Sequence, residues 1–329
     1  MLLSPARVQP STVPMRFTPA PENGKKEVCF IWGESCCGQK KDGPQTAPPM
    51  VCSEEFQDQL KQMDWETSVK RVPQVFKVTP STAPQTHAHQ PFSVAATCDR
   101  VAEACLEAHA EGKFPLLIGG DHCLSMGSVA ATAKRFNGDF CLIWFDAHAD
   151  INTLDTSPSG NMHGMPIAAL IGLEAMKRIP GFEDGRFANV RPDRIAWIGL
   201  RDVDPGEWET IHKLGIKTAF TIEDLKKYGM KQSIEMALST INPNGDLPIH
   251  ISFDVDGMDP IDAPSTGTPV GDGVRIHEAL ELVRTLRESG NLAAMDVVEV
   301  NPSLGTPNDV VVTVANAQLV IAHALGCSR

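Results

Sequence analysis

Residues 140–150 read FCLIWFDAHAD, and this stretch is the strongest indication of the fold. Its first six residues, 140–145, are apolar at every position, which is typical of a strand buried on both faces inside a parallel sheet. Three ionisable residues follow at alternate positions: Asp146, His148 and Asp150. Because burying them at the end of an apolar strand is costly unless they have a partner, the stretch predicts both a central strand and a site at its carboxyl end.

Short apolar runs alternate with helical patterns along the rest of the chain. The apolar runs predict seven strands, at residues 28–32, 114–118, 140–145, 195–200, 216–220, 249–253 and 292–298. Helical patterns cover residues 92–109, 124–135, 205–214, 222–228, 232–238, 275–289 and 308–325. This alternation predicts βαβ units, and therefore an α/β fold with a doubly wound parallel sheet and helices on both faces.

The N-terminal stretch has a different composition. Residues 1–27 contain five prolines, which prevent a long helix, and no acidic residue before Glu22. We therefore predict a disordered N-terminal extension over residues 1–27, followed by a single catalytic domain over residues 28–329. Because transit peptides are also poor in acidic residues, targeting to mitochondria remains an alternative to a cytoplasmic location.

Charge and cysteine content exclude several classes of function. The chain has 329 residues, with 29 Lys and Arg against 41 Asp and Glu, and its net charge is −12 at pH 7. Nucleic-acid binding and anionic-membrane binding depend on an excess of cations, so we expect neither partner. The nine cysteines form no CxxC pair and no zinc-finger spacing, which favours a reducing compartment such as the cytoplasm.

Polar residues follow several predicted strands directly. GGDH (119–122) follows residues 114–118, Asp254-Val255-Asp256 follows residues 249–253, and Glu299 follows residues 292–298. In open α/β sheets, ligands bind outside the carboxyl ends of the strands. In an extended chain, residues at alternate positions point to one side, so we expect the acidic residues of DAHAD and of DVD to converge.

The converging residues have the chemistry of a metal site: His122, Asp146, His148, Asp150, Asp254 and Asp256. Imidazole and carboxylate ligands without thiolate suit hard or borderline divalent cations. Four carboxylates balance the charge of two divalent ions, so the sequence predicts a dinuclear site. Two metal ions can deprotonate a bridging water near neutral pH and so produce a hydroxide nucleophile.

Three segments carry a resemblance to a known family. GGDH, DAHAD followed by IN, and SFDVDGMDP resemble the signature segments of the ureohydrolase family, most closely those of its arginase branch. The resemblance covers the chain from about Phe114 to the C-terminus. It implies a three-layer αβα fold with an eight-stranded parallel sheet. It also implies two Mn²⁺ ions, hydrolysis of L-arginine to L-ornithine and urea by a metal-bound hydroxide, and a homotrimer.

The resemblance also implies a role for each matching residue. One metal ion would be bound by His122, Asp146, Asp150 and Asp254, and the other by Asp146, His148, Asp254 and Asp256. Residues for the substrate α-carboxylate would be Asn152, Ser159 and Asn161, those for its α-amino group Asp204 and Glu207, and a supporting residue Thr268. Catalytic roles would fall to Glu299, which pairs with the guanidinium, to Asp150, which accepts the proton of the nucleophile, and to His163, the proton shuttle.

Some of these residues also have a purely structural interpretation. Asp204-Pro205 followed by Glu207 is typical of a helix N-cap with proline at the first helical position and a capping box. Glu278 and Arg329 match a pair that forms salt bridges between subunits in trimeric relatives. Cys123 follows His122 where the family typically has serine, and because a thiol is a weaker hydrogen-bond donor, we expect weaker support of His122.

Two alternative functions remain. An agmatinase or another ureohydrolase would act on a substrate without the α-carboxylate, which would leave Asn152, Ser159 and Asn161 without a partner. A metal-poor pseudoenzyme that binds arginine or serves as a regulatory scaffold is the second alternative. All six metal-ligand positions carry a ligand residue, which argues against it.

Overall fold

An eight-stranded sheet, parallel throughout, forms the centre of the molecule. The structure is a computed structural model and describes residues 9–10, 15–17, 26–78 and 86–328. The strands are β1 (Lys26–Glu34), β2 (Trp65–Pro73), β3 (Phe114–Ile118), β4 (Cys141–Phe145), β5 (Ile195–Leu200), β6 (Ala219–Thr221), β7 (Ile249–Asp254) and β8 (Leu292–Val298). Their spatial order is β2-β1-β3-β8-β7-β4-β5-β6.

Helices cover both faces of this sheet. They are α1 (Pro48–Val51), α2 (Glu54–Lys61), α3 (Pro91–Ala110), α4 (Ser125–Arg135), α5 (Pro166–Leu170), α6 (Pro205–Lys213), α7 (Ile222–Tyr228), α8 (Met230–Ile241), α9 (Ile276–Glu288) and α10 (Pro307–Ala324). The buried residues form two cores, one on each side of the sheet. One contains side chains of α3 to α6, and the other contains side chains of α1, α2 and α7 to α10. The three-layer α/β fold predicted from the sequence is confirmed.

Side-chain alternation along the strands separates the two cores. On β1, Phe30 packs into the core beneath α9 and α10, while its neighbours Cys29 and Ile31 pack into the core beneath α3. The central strands are buried on both faces and most of their residues are apolar, as expected of a parallel sheet covered by helices. All nine cysteines lie among the described residues and are free thiols, eight of them buried.

The seven strands predicted from apolar runs are all present, with one displacement. The run 216–220 predicted a strand that the structure places at Ala219–Thr221, because Leu214 and Gly215, the latter with a φ of 69°, form the turn that follows α6 and residues 216–218 are irregular. The eighth strand, β2, was not predicted from its residues. It lies at the edge of the sheet, and its sequence WETSVKRVP is mostly polar and partly exposed.

The predicted N-terminal extension falls largely outside the described residues. The first strand begins at Lys26, two residues inside the predicted extension, and Gln9–Pro10 pairs antiparallel with Cys327–Ser328. The division into an extension and one catalytic domain therefore stays a prediction. Among the helices of the described residues, none combines the length and the apolar character needed to cross a membrane.

Four neighbouring strands position the functional residues. In the spatial order, β3, β8, β7 and β4 are consecutive, and they occupy the middle of the sheet. Their carboxyl ends carry His122, Glu299, Asp254 and Asp146 respectively. Parallel pairing places all four of these ends at the same edge of the sheet, where ligands bind in open α/β folds.

Candidate metal centre and substrate cavity

The backbone leaves the extended conformation as soon as the central strands end. After β4, residues 146–148 form a bend, and Asp150 has a φ of 51°. After β7, Asp256 lies in a short 3₁₀ turn, Val255–Gly257. The predicted reason for convergence, an extended chain with alternate residues on one side, is therefore wrong. The acidic residues do converge, but they do so through tight turns.

A first cluster surrounds the ring of His122. Its Nδ1 atom lies 3.1 Å from Oδ2 of Asp146, 3.1 Å from Oδ2 of Asp150 and 3.1 Å from Oδ2 of Asp254. All four side chains are buried, and among the described residues none makes an aligned hydrogen bond to Nδ1. Three carboxylate oxygens around one ring nitrogen are arranged as the ligands of a cation.

A second cluster lies beside the first and shares Asp146 with it. His148 Nδ1 is 3.2 Å from Oδ1 of Asp146 and 3.4 Å from Oδ2 of Asp256. Asp146 therefore offers one oxygen to each cluster, which is the geometry of a bridging ligand. Asp254, also expected to bridge, brings Oδ2 to His122, whereas its Oδ1 accepts a hydrogen bond from the Asp256 amide at 2.8 Å.

The acidic residues of the two clusters repel one another. Burial raises the pKa of Asp150 to about 7, and the charge of Asp146 adds to the rise. Burial also raises the pKa of Asp254 well above its ordinary value, and the carboxylates of Asp256 and Asp146 raise it further. Divalent cations would offset this repulsion, and the nitrogen and oxygen donors suit hard or borderline ions. The residues therefore fit a pair of divalent metal ions.

The ring of His122 is held in one orientation. Its Nε2 faces the hydroxyl of Ser252 at 2.9 Å, and the ring stacks on Trp144 at a centroid distance of 4.0 Å. With Nε2 facing Ser252, Nδ1 is the ring nitrogen that could bind a metal ion. The thiol of Cys123 faces the thiols of Cys37 and Cys98 instead. Cys123 was expected to weaken the support of His122. The His122 ring does not depend on Cys123, because the hydroxyl of Ser252 contacts Nε2.

Glu299 lies beneath the cavity and links three elements. Its carboxylate accepts hydrogen bonds from Gln39 Nε2 at 3.0 and 2.8 Å, from the His122 amide at 2.9 Å and from His163 Nδ1 at 3.0 Å. Burial acts to lower the pKa of His163, but the bond to Glu299 and its charge outweigh this effect and raise the pKa to about 9. Glu299 has a φ of 64°, an unfavourable conformation for a residue with a side chain, and such strain is concentrated at functional sites.

A polar cavity of about 280 Å³ opens above the two clusters. His148, Asp150, Asp254 and Asp256 contribute to its lining. The remaining lining includes all of the predicted substrate residues except Glu299, together with the predicted shuttle: Asn152, Ser159, Asn161, Asp204, Glu207, Thr268 and His163. Ser157, Pro158, Gly164 and Asp202 complete the lining and were not predicted.

The N-terminus of α6 has the predicted capping box, and the two residues that form it also line the cavity. Asp204 and Glu207 form a capping box at the start of α6, and Glu207 also accepts a hydrogen bond from the Ile151 amide at 3.0 Å. Asn152 Nδ2 donates to Asp204 at 2.9 Å, and Thr268 donates to Asp256 at 2.7 Å. The cap thus fixes the carboxylates of Asp204 and Glu207 at the cavity wall. They lie close to Asn152, which the resemblance assigns to the α-carboxylate of the substrate.

Comparison with known proteins identifies the family. A family model described as the arginase family matches residues 29–326. The chain belongs to the arginase family. It is 38% identical to an arginase of Eremothecium gossypii, with 92% of this chain and 76% of that protein covered.

Solved arginase structures share the fold of this family member. The arginase of Bacillus caldovelox has a TM-score of 0.81 and 31% identity, covering 92% of this chain and 99% of that one. An Entamoeba histolytica arginase in complex with L-ornithine has a TM-score of 0.79 and 30% identity, with the same coverage. These structures agree with the eight-stranded parallel sheet described above.

Sequence reasoning missed several residues that this arginase-family chain places around the site. Ser252 and Trp144 lie on strands, each two residues before a predicted ligand, so period-two alternation was the signal that could have found them. Gln39 gave no such signal. It precedes its partner Glu299 by 260 positions in the chain, and only the packing of the 36–42 loop brings the two side chains together.

Proposed function

We propose that this chain is a metal-dependent arginase that hydrolyses L-arginine to L-ornithine and urea. The observation that carries the proposal is the pair of histidine–carboxylate clusters that share Asp146 beneath a polar cavity. The other side of the cavity is lined by two sets of residues. Asn152, Ser159 and Asn161 suit the carboxylate of an α-amino acid, and Asp204 and Glu207 suit its ammonium group. Membership of the arginase family supports the same reaction.

The proposed cofactor is a pair of Mn²⁺ ions. The first would be held by His122, Asp146, Asp150 and Asp254, and the second by Asp146, His148 and Asp256, with Asp254 as the proposed second bridge. A pair of divalent cations supplies Lewis acidity and lowers the pKa of bound water toward neutrality. The choice of manganese rests on the resemblance, because the donor set suits several hard or borderline ions.

The cavity wall would orient the amino acid end of the substrate. Asn152, Ser159 and Asn161 are polar groups suited to a carboxylate, and Asp204 and Glu207 offer negative charge to an ammonium. Binding both groups at fixed positions would hold the guanidinium at the metal clusters. Holding the reacting groups in the correct geometry raises their effective concentration and so speeds the reaction.

Two residues are suited to proton transfer. Because Nδ1 of His163 is held by Glu299, Nε2 is the nitrogen that can exchange a proton at the cavity. Asp150 borders the same cavity and, with a pKa raised by burial, can accept a proton and release it to the leaving amine. Glu299 orients His163. Its predicted contact with the guanidinium remains part of the proposal.

A urea-release assay tests the reaction. We expect manganese-loaded protein to release urea from L-arginine, and chelator-treated protein to release none until Mn²⁺ is restored. Agmatine, which lacks the α-carboxylate, is the matched control. Faster release from agmatine would identify an agmatinase, whereas no urea and no bound metal after incubation with Mn²⁺ would support a pseudoenzyme.

We also propose a cytoplasmic homotrimer. In this structure the Glu278 carboxylate accepts a hydrogen bond from the Arg275 amide at 2.9 Å and caps α9, while Arg329 lies outside the described residues. The free thiols favour a reducing compartment. Light scattering coupled to size-exclusion chromatography would test the trimer. A monomeric mass that persists at micromolar concentration would contradict it.

A further inference from the structure

Arg201 directly follows β5 and makes contacts that the proposed mechanism does not use. Its side chain is partly buried, and all three guanidinium nitrogens donate hydrogen bonds to the backbone. The acceptors are the carbonyls of Gly199, Asp256, Gly257, Met258 and Val270. The planar donor fork of arginine typically pairs with a carboxylate or a phosphate. Here it binds main-chain oxygens instead, so its effect is on the course of the backbone.

Three of these carbonyls are consecutive and belong to the turn that carries Asp256. Nη2 of Arg201 donates to the Asp256 carbonyl at 2.7 Å and to the Met258 carbonyl at 3.0 Å. Nη1 donates to the Gly257 carbonyl at 3.0 Å. The 3₁₀ turn has a backbone bond of its own, from the Met258 amide to the Val255 carbonyl at 3.1 Å. Because the hydrogen bonds of a short 3₁₀ turn are weak, the guanidinium stabilises this turn from outside.

The backbone of Arg201 holds the turn that carries the other ligands of the second cluster. The amides of Arg201 and Asp202 both donate to the carbonyl of Ala147, at 2.9 and 3.0 Å. Ala147 lies between Asp146 and His148 in the chain. Arg201 thus bonds to one turn through its main chain and to the other turn through its side chain, and these are the two turns that meet in the second cluster.

The guanidinium of Arg201 has little room to move. A Cβ atom on Gly273 would lie 2.6 Å from Nη2, closer than such an atom approaches its neighbours in proteins. Glycine at position 273 therefore lets the chain pass directly against the guanidinium. Together with the bonds to five carbonyls, this packing fixes the side chain of Arg201 and the turn bonded to it.

The charge of Arg201 is not what favours a metal ion beside it. A guanidinium stays protonated in proteins. Because like charges repel, a positive group next to the second cluster by itself opposes the binding of a divalent cation. The benefit of Arg201 to the site must therefore lie in geometry.

We propose that Arg201 is a positioning residue for the second metal ion, and that it holds the turn of Asp256 against the turn of Asp146 and His148. This inference rests on the proposed metal site. It assigns to an arginine bonded to backbone carbonyls the role that the hydrogen-bonded partners of ligand side chains have in other metal sites.

Mn²⁺ titration of the chelator-treated full-length protein tests the proposal. His122→Ala and His148→Ala assign the binding steps to the two clusters. Arg201→Lys keeps the charge without the planar fork of donors, and Arg201→Gln removes the charge as well. Arg194→Lys is the matched control, because Arg194 is also partly buried and donates to a backbone carbonyl, that of Ile241, at the amino end of β5.

We expect Arg201→Lys to weaken Mn²⁺ binding at the His148 step by about tenfold, the lower range for changes at the outer partners of metal ligands. The His122 step should match that of the unmodified protein, as should both steps of Arg194→Lys. Arg201→Gln should also weaken the His148 step, although the loss of a positive charge by itself would strengthen cation binding. Electron paramagnetic resonance gives a second measure. Mn²⁺ ions that share a ligand couple magnetically, and loss of one of them leaves the spectrum of an isolated ion.

Three results would overturn the proposal. One is an unchanged His148 step in Arg201→Lys, which decides the matter even where Arg201→Gln does not fold. The second is tighter binding by Arg201→Gln at both steps, since Arg201 would then act through its charge. The third is an equal loss at both steps, which would indicate a general loosening of the fold. Failure of the unmodified protein to bind Mn²⁺ would instead refute the proposed function itself.

Discussion

At the scale of single residues, Asp146 is the most consequential side chain of the site. Its two oxygens face different histidines, at 3.1 Å from His122 and 3.2 Å from His148, and Trp144 Nε1 donates to it at 3.1 Å. Because no other described carboxylate approaches both histidines so closely, its loss affects both clusters together.

We therefore predict that Asp146→Asn weakens both steps of Mn²⁺ binding. Each step should weaken by at least about 100-fold, the upper range for changes at the outer partners of a ligand. Elemental analysis after dialysis would measure the metal content. Asp202→Asn is the control, because Asp202 lines the same cavity but its side chain is 69% exposed, 3.7 Å from His148. Retention of two ions by Asp146→Asn would contradict the bridging geometry.

A second residue-scale prediction concerns Ser159. Ser159→Ala should raise the KM for L-arginine by about tenfold with little change in kcat, because one hydrogen bond to a charged group contributes about 1.5 kcal/mol. Steady-state kinetics on L-arginine and agmatine would measure the change. Agmatine has no carboxylate for Ser159 to bind, so an equal rise in KM for both substrates would show that the loop had changed shape instead.

At the scale of elements, helix α3 has a buried histidine, His109, in its last turn. His109 lies in the last turn of α3, is 8% exposed and packs edge-on against Phe136. A helix C-terminus favours a protonated histidine, yet burial, followed by the charges of His250 and Arg135, lowers the pKa of His109 to about 3. Desolvation thus outweighs the helix dipole.

This lowered pKa predicts a loss of stability in acid. In the unfolded chain His109 binds a proton below about pH 6.5, whereas in the folded protein it stays neutral to about pH 3. The stability that its neutral form provides is complete above pH 6.5 and falls by about 1.4 kcal/mol per pH unit below it. Between pH 7 and pH 5 the loss should be about 2 kcal/mol.

Urea unfolding of His109→Leu would measure this contribution. The free energy of unfolding of the variant should fall by about 2 kcal/mol less than that of the unmodified protein between pH 7 and pH 5. His212→Leu, the same change at an exposed histidine of α6, is the matched control. Identical acid profiles for His109→Leu and the unmodified protein would show that His109 titrates in the folded state.

The strands and turns of this protein differ in how well the sequence predicts them. Strands buried on both faces are largely apolar, so β3, β4, β5, β7 and β8 could be predicted even though His250 and Asp296 interrupt two of them. Their polar carboxyl ends predicted the candidate metal cluster. Strand β2 could not be predicted, because an edge strand needs no continuous apolar run. The turn at Asp150 and the contact between Gln39 and Glu299 depend on packing against residues distant in the chain, and no local pattern carries that information.

At the scale of the whole molecule, metal binding and folding stability are coupled. Six ionisable side chains from three strand ends meet in one place, all of them buried except His148, and the repulsion among the four carboxylates opposes folding when no cation is present. A ligand at 100 times its Kd stabilises the folded state by about 2.7 kcal/mol. With about 2.1 cal/mol/K of unfolding entropy per residue, each kcal/mol raises the Tm of this 329-residue chain by about 1.5 °C, and two ions bound at 100 times their Kd raise it by about 8 °C.

We predict that chelation lowers Tm by about 5 °C or more and that added Mn²⁺ restores it. Differential scanning calorimetry at fixed pH would measure the shift. Asp146→Asn serves as the control, since its Tm should respond little to either treatment. A Tm that is the same with and without Mn²⁺ would mean that the folded and unfolded chains bind the ion equally.

The position of β8 has a consequence for how the protein is made. This strand is the last of the sheet to be synthesised, yet it lies between β3 and β7, which pair with β8 and not with each other. Until residue 298 has left the ribosome, the chain has two half-sheets with open edges. His122 is on one half, and the four aspartates are on the other. A nascent chain thus cannot assemble the six-ligand site, and metal acquisition must follow translation of nearly the whole protein.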